Sequence, residues 1–100
     1  MIKHIVMWRV RGDTDIDKRA NIERVCSGFN ALKGHIPGML HLELGVDVSG
    51  IDSACDVVLY TEFETAKDLE AYASHPLHEQ LKKELDGVRS ARHQVDYVVN

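Results

Sequence analysis

Between Tyr72 and His78 the chain reads Tyr72-Ala73-Ser74-His75-Pro76-Leu77-His78, a phenol and two imidazoles around a proline. A neutral imidazole is a base near pH 7 and a phenol is a hydrogen-bond donor; together they supply what moving a proton beside a carbonyl requires. Pro76 fits the first turn of a helix, where its missing N–H has no intrahelical partner, so His78 falls in that same turn. The positive end of the helix dipole disfavours an imidazolium there, which predicts a neutral His78 at pH 7. Tyr72 falls at the end of the preceding helix, from which it can donate to a substrate oxygen as negative charge develops. His75, just before the proline, reads as a polar cap on the second helix.

These side chains meet only if the surrounding elements bring them together. Ile2 to Arg11 alternates as a strand, with Ile2, His4, Val6, Trp8 and Val10 on one face and Lys3, Ile5, Met7, Arg9 and Arg11 on the other. One face is apolar and the other half-apolar, so both are expected to be covered. Thr14 and Asp17 have capping spacing and start a helix whose apolar stripe is Ile22, Val25, Phe29, Leu32 and Ile36. Gly34 and Pro37 stop it. Met39 to Val48 is a strand with Leu40, Leu42, Leu44, Val46 and Val48 on one face, and Val48 to Ser53 has loop composition. A third strand runs from about Asp56 to Phe63. Thr65 and Asp68 then repeat the capping spacing, so that the second half of the chain echoes the first. After Pro76, Leu77, Leu81 and Leu85 recur at steps of four, and Gly87 ends the helix. Arg89 to Val99 is the last strand, with Ala91, His93, Val95, Tyr97 and Val99 on one face.

The order strand, helix, strand, strand, helix, strand is that of an α+β, ferredoxin-like βαββαβ fold with a four-stranded antiparallel sheet. One domain over residues 1–100 is expected. Helices on one side of such a sheet leave the other bare, and here that side is only partly polar. A second subunit's sheet is predicted to cover it, closing a dimeric α+β barrel.

With 44% apolar and 28% charged residues the composition is that of an ordinary globular chain, and the net charge of -4 leaves no basic stripe for nucleic acid. Ile5 to Trp8 is too short an apolar run for a membrane span or a signal core, so a cytoplasmic protein without membrane or nucleic-acid partners is expected. Cys26 and Cys55 are isolated thiols and read as small buried hydrophobes. Of the six histidines, at 4, 35, 41, 75, 78 and 93, no two have the i, i+4 spacing of a zinc enzyme, and no metal or cofactor is expected. His41 and Glu43 share a strand face and read as solvated. Glycine-rich phosphate loops and Gly-x-Ser-x-Gly elbows are absent.

Lys3-His4-Ile5-Val6, Ile36-Pro37-Gly38, Gly45-Val46-Asp47, and Tyr72 to His78 followed by Asp96-Tyr97 resemble, in this order and spacing, the stress-responsive A/B barrel (Dabb) family of dimeric α+β barrels. The resemblance implies a homodimer. The wider barrel class also hosts monooxygenases and haem-related enzymes. A more distant branch, polyketide cyclases of the olivetolic-acid type, closes a linear polyketide by an aldol reaction with a histidine base beside a tyrosine. Similarity to that branch implies that His78 is the base, Tyr72 its neighbour and His4 the pocket histidine of the first strand. Where the branch presents a further histidine on the third strand, this chain has Val57. The pocket is accordingly expected to be lined by His4, Val6, Trp8 and Val57.

The function expected is cofactor-independent acid–base chemistry, cyclase- or lyase-like, on a small carbonyl ligand. The competing reading is a noncatalytic ligand-binding or stress-related dimer. A third is an oxygenase or haem-related activity of the wider class.

Overall fold

In the computed structural model, which describes residues 1–100, both predicted helix starts are capped by a threonine hydroxyl. Thr14 Oγ1 accepts the Asp17 N–H at 3.1 Å at the head of α1 (Asp15–Asn30), and Thr65 Oγ1 accepts the Asp68 N–H at 3.2 Å at the head of α2 (Ala66–Ala73). Each bond satisfies one of the backbone donors that a helix start leaves unpaired. His75 caps α3 (Pro76–Glu84): its Nδ1 accepts the Leu77 N–H at 3.1 Å, and Pro76 opens the first turn.

The strands are β1 (Ile2–Val10), β2 (Met39–Val46), β3 (Val57–Phe63) and β4 (Arg89–Val98), in the sheet order β2-β3-β1-β4 with every neighbouring pair antiparallel. This is the ferredoxin-like α+β architecture. The helices lie on the face that carries His4, Val6, Trp8 and Val10 of β1 and Val57, Leu59, Thr61 and Phe63 of β3, all buried. Val25 and Phe29 of α1, with Leu32 and Ile36 after it, fill the core against them. Leu81 of α3 packs against α1 at Gly28, where a Cβ would stand 2.5 Å from Leu81 Cδ1, so the small residue sets how closely the two helices approach. Gly38, at φ +78° before β2, lies against the Asp68 side chain and leaves no room for a side chain of its own.

Three apolar expectations fail for local reasons. A register shift between Met39 and His41 leaves Leu40 without a cross-strand partner, and it turns out to solvent. Val48 lies beyond the end of β2 and is fully exposed. Leu77, 44% exposed, belongs to the free first turn of α3, while Leu81 and Leu85 are buried. Cys26 and Cys55 are free and half-buried, and burial pushes the Cys26 thiol up from its ordinary value.

The opposite face of the sheet is open. Ile5, Met7, Val58, Val95 and Tyr97 lie on it among Lys3, Glu62 and His93. Tyr60 donates to Glu62 there at 2.5 Å, with Lys3 Nζ 5.6 Å above its ring.

Candidate active site

The helix-covered face is not covered evenly. Arg92, Gln94 and Asp96 of β4 pair with Trp8, Val6 and His4 of β1; the β1 residues are buried, but the β4 residues are exposed because the helices stop short of the edge strand. The gap between β1 and β4 below and α2 and α3 above is a cavity of about 670 Å³. His4, Val6, Trp8, Tyr72 and His78 all line it. Val57 does not. It lies in the core on β3, one strand farther from the open edge, and of that strand only Leu59 reaches this cavity. Its cross-strand partner Trp8 is what meets the cavity at that level, stacked on Phe29 with ring centroids 5.0 Å apart.

The break between α2 and α3 folds Tyr72 and His78 onto each other. Their rings stack with centroids 4.3 Å apart and planes inclined by 18°. His78 Nδ1 lies 3.2 Å from the Tyr72 carbonyl and 3.3 Å from the Ala73 carbonyl, the last carbonyls of α2. A carbonyl only accepts, so Nδ1 carries the hydrogen and the lone pair of a neutral His78 is on Nε2. Burial is the main influence that lowers the His78 pKa from 6.5, and the Lys82 charge adds to it, against the raising effect of the two carbonyls. The positive end of the α3 dipole acts in the same direction.

Tyr72 is 3% exposed, and its hydroxyl is a buried polar group without a hydrogen-bond partner. The phenol is enclosed, and burial holds its pKa well above the ordinary value. It is a proton donor throughout the neutral range. Buried polar groups are almost always paired, and leaving one unpaired costs about 1–3 kcal/mol, so an orphan donor beside a cavity marks a place for an acceptor.

His4 is buried beneath Tyr72, with ring centroids 6.2 Å apart. Its Nδ1 meets Asp96 Oδ1 at 2.5 Å, and Gln94 Nε2 donates to the other Asp96 oxygen at 2.8 Å. A carboxylate bonded to Nδ1 fixes that hydrogen and leaves Nε2 as acceptor in the neutral ring. His75 only caps α3, and His41 pairs with Glu43 at 3.7 Å on the open face. No three His, Cys, Asp or Glu side chains converge as a metal-binding group.

The sequence matches the family described as Stress responsive A/B Barrel Domain over residues 2–99. The chain belongs to this family. It is 29% identical over 101 residues to "Stress-response A/B barrel domain-containing protein DABB1" of Arabidopsis thaliana, an alignment covering 98% of this chain and 47% of that protein, so the chain spans about half of its relative's length. Among solved structures, a dimeric protein of unknown function with a ferredoxin-like fold from Bacteroides fragilis superposes with a TM-score of 0.83 at 29% identity, covering 96% of this chain and 93% of that one. The hydroxynitrile lyase from Passiflora edulis has the same fold, with a TM-score of 0.81 at 16% identity over 99% of this chain and 93% of its own.

In this Dabb domain most of the polar cavity residues to which the sequence alone gives no role lie on β4. Alternation in β4 draws attention to Ala91, His93, Val95 and Tyr97, of which only Ala91, beside the bulge at Arg9 and Val10, lines the cavity; Arg92, Gln94 and Asp96 line it too, joined by Arg89 at the strand start. The signal was present as three polar residues at alternate positions. Its meaning depends on which face the helices leave uncovered.

Proposed function

We propose that this Dabb domain works as a homodimer and performs cofactor-independent acid–base chemistry on a small carbonyl compound in the cavity between β4 and the α2–α3 break. The observation that carries this reading is the buried, partnerless Tyr72 hydroxyl stacked beside a histidine whose free lone pair is on Nε2. His78 Nε2 takes a proton from the carbon next to the carbonyl, and the C–H electron pair becomes the new C=C bond. The carbonyl π pair moves onto oxygen, where the Tyr72 O–H meets the developing negative charge. Return of the proton to carbon, or attack of that carbon on a second carbonyl, ends the cycle as exchange or as ring closure. His4, held by Asp96, forms the cavity wall opposite. The half-apolar open sheet face supports dimerisation, as do solved relatives of this fold described as dimeric.

The chemistry is tested with 3-benzoylpropionate in deuterated buffer, following by proton NMR the loss of the hydrogens next to the ketone. The wild-type domain is expected to accelerate exchange, and His78→Ala to remove about 10²-fold or more of that acceleration. Tyr72→Phe should lose about 10²-fold, the scale for a single oxyanion donor. Binding without accelerated exchange, unchanged by His78→Ala, establishes the noncatalytic reading instead. Sedimentation of a stable monomer at micromolar concentration removes the homodimer.

A further inference from the structure

We propose that the same cavity selects a substrate bearing a carboxylate, held by Arg89 and Arg92 at the start of β4; this rests on the cavity being the ligand site. Arg89 is half-buried among the cavity walls, its guanidinium 5.0 Å above the Trp8 ring and 5.8 Å above Phe29. These contacts with ring faces satisfy none of its five N–H donors. Neither Arg89 nor Arg92 takes part in any of the chain's ion pairs, which join His4 to Asp96, Lys18 to Asp56, His41 to Glu43 and Lys82 to Glu79. Neither guanidinium donates a hydrogen bond to any group of the protein.

The carboxylates that reach the cavity do not answer this charge. Asp96 is taken up by His4 and Gln94, and Glu70 forms no ion pair. A guanidinium half withdrawn from water with no anion paired to it is a costly arrangement. The whole chain carries a net charge of -4, so this is a local concentration of positive charge against the overall balance. A planar fork on a rigid aromatic base matches a carboxylate in two-point geometry.

The second, independent sign of a ligand is Tyr72. Its hydroxyl is enclosed and unpaired, and the phenol lies within the fields of both Arg89 and Arg92. A keto acid satisfies both: its carboxylate meets the arginines, and its ketone oxygen meets the Tyr72 hydroxyl beside His78. The apolar walls Val6, Trp8 and Leu59 take the body between.

The test compares 3-benzoylpropionate with its methyl ester, which keeps the ketone and ring and lacks the charge. Calorimetric titration of the wild-type domain is expected to show the acid bound about tenfold or more tighter than the ester, and the difference to shrink as sodium chloride is raised. Arg89→Gln and Arg92→Gln should each erode that preference. Arg92 is exposed, so its variant reports even if Arg89→Gln unfolds. Arg89→Lys, which keeps the charge and loses the fork, should retain part of it. His78→Ala should leave the preference intact, which separates this proposal from the assignment of the base. Equal affinity of acid and ester in the wild type, or an acid preference that survives both glutamine variants, overturns it.

Discussion

The first β-α-β unit of the fold carries one unbroken helix, and the second carries two. Both helices that open a unit start at a threonine cap with the same spacing, 3.1 Å at Thr14 and 3.2 Å at Thr65. From there they diverge. The 16-residue α1 is unbroken and buries Val25 and Phe29 against the sheet. In the second unit Pro76 ends one helix and starts another after eight residues, and the helix layer stops short of β4. The stacked Tyr72 and His78 rings belong to that break, and the cavity lies between it and β4, which carries the two unpaired arginines. Within one architecture, continuous helix packing makes core, and an interrupted helix makes a site.

The largest expected effect bears on the continuous half. Phe29→Ala should cost about 3–5 kcal/mol in urea unfolding, since the ring is fully buried and supports Trp8. A cost under about 1 kcal/mol would show that α1 is not the rigid side of the comparison.

Next comes the broken half, where α3 is anchored from one side only. Leu81→Ala should cost about 2–5 kcal/mol, whereas Leu77→Ala, one turn earlier and 44% exposed, should stay within about 0.5 kcal/mol. Similar losses at both positions would mean that the first turn of α3 is packed rather than free.

The two caps offer a sharper contrast. Thr14→Ala and Thr65→Ala should each cost about 1 kcal/mol through the shared cap bond, with Thr65→Ala the costlier by up to about 0.5 kcal/mol because its hydroxyl also donates to Asp68 Oδ2 at 2.9 Å. A large difference in their thermal unfolding would show that the break reaches back to the start of α2.

The smallest effect is a titration. His78 should show an NMR pKa below 6.5, and a value at or above it removes burial as the controlling influence. Because folding lowers this pKa, the unfolded chain takes up the proton first as pH falls. The stability linked to His78 is therefore complete above pH 6.5 and is lost as pH drops through the lower, folded value. The base should fail over the same range, so exchange activity falls on the acid side at that folded pKa.

Much of this was legible in the chain. The caps at Thr14 and Thr65, the buried Val25 and Phe29 of α1 and the alternation of β1 and β3 each follow from periodicity and local hydrogen bonding, which act within a few residues; Leu32 and Ile36 are buried too, but from the turns after α1 ends at Asn30. His75 as a cap and Pro76 in the first turn were readable for the same reason. Leu40 was misplaced because a bulge depends on pairing with β3, and Leu77 because an amphipathic stripe does not say how far a neighbouring helix extends. Resemblance puts Val57 in the pocket, and its place in the core behind Trp8, its cross-strand partner, keeps it out.

By itself the sequence determined the order of elements, the family and the break at Pro76, because these rest on near-neighbour chemistry. Tertiary structure alone decided that His4 meets Asp96 across 92 positions, that the Tyr72 hydroxyl is enclosed without a partner, and that Arg89 stands over Trp8 with no carboxylate in reach. Those facts depend on which strand lies at the edge and where the helices end above it. Such long-range juxtapositions leave no period in the chain.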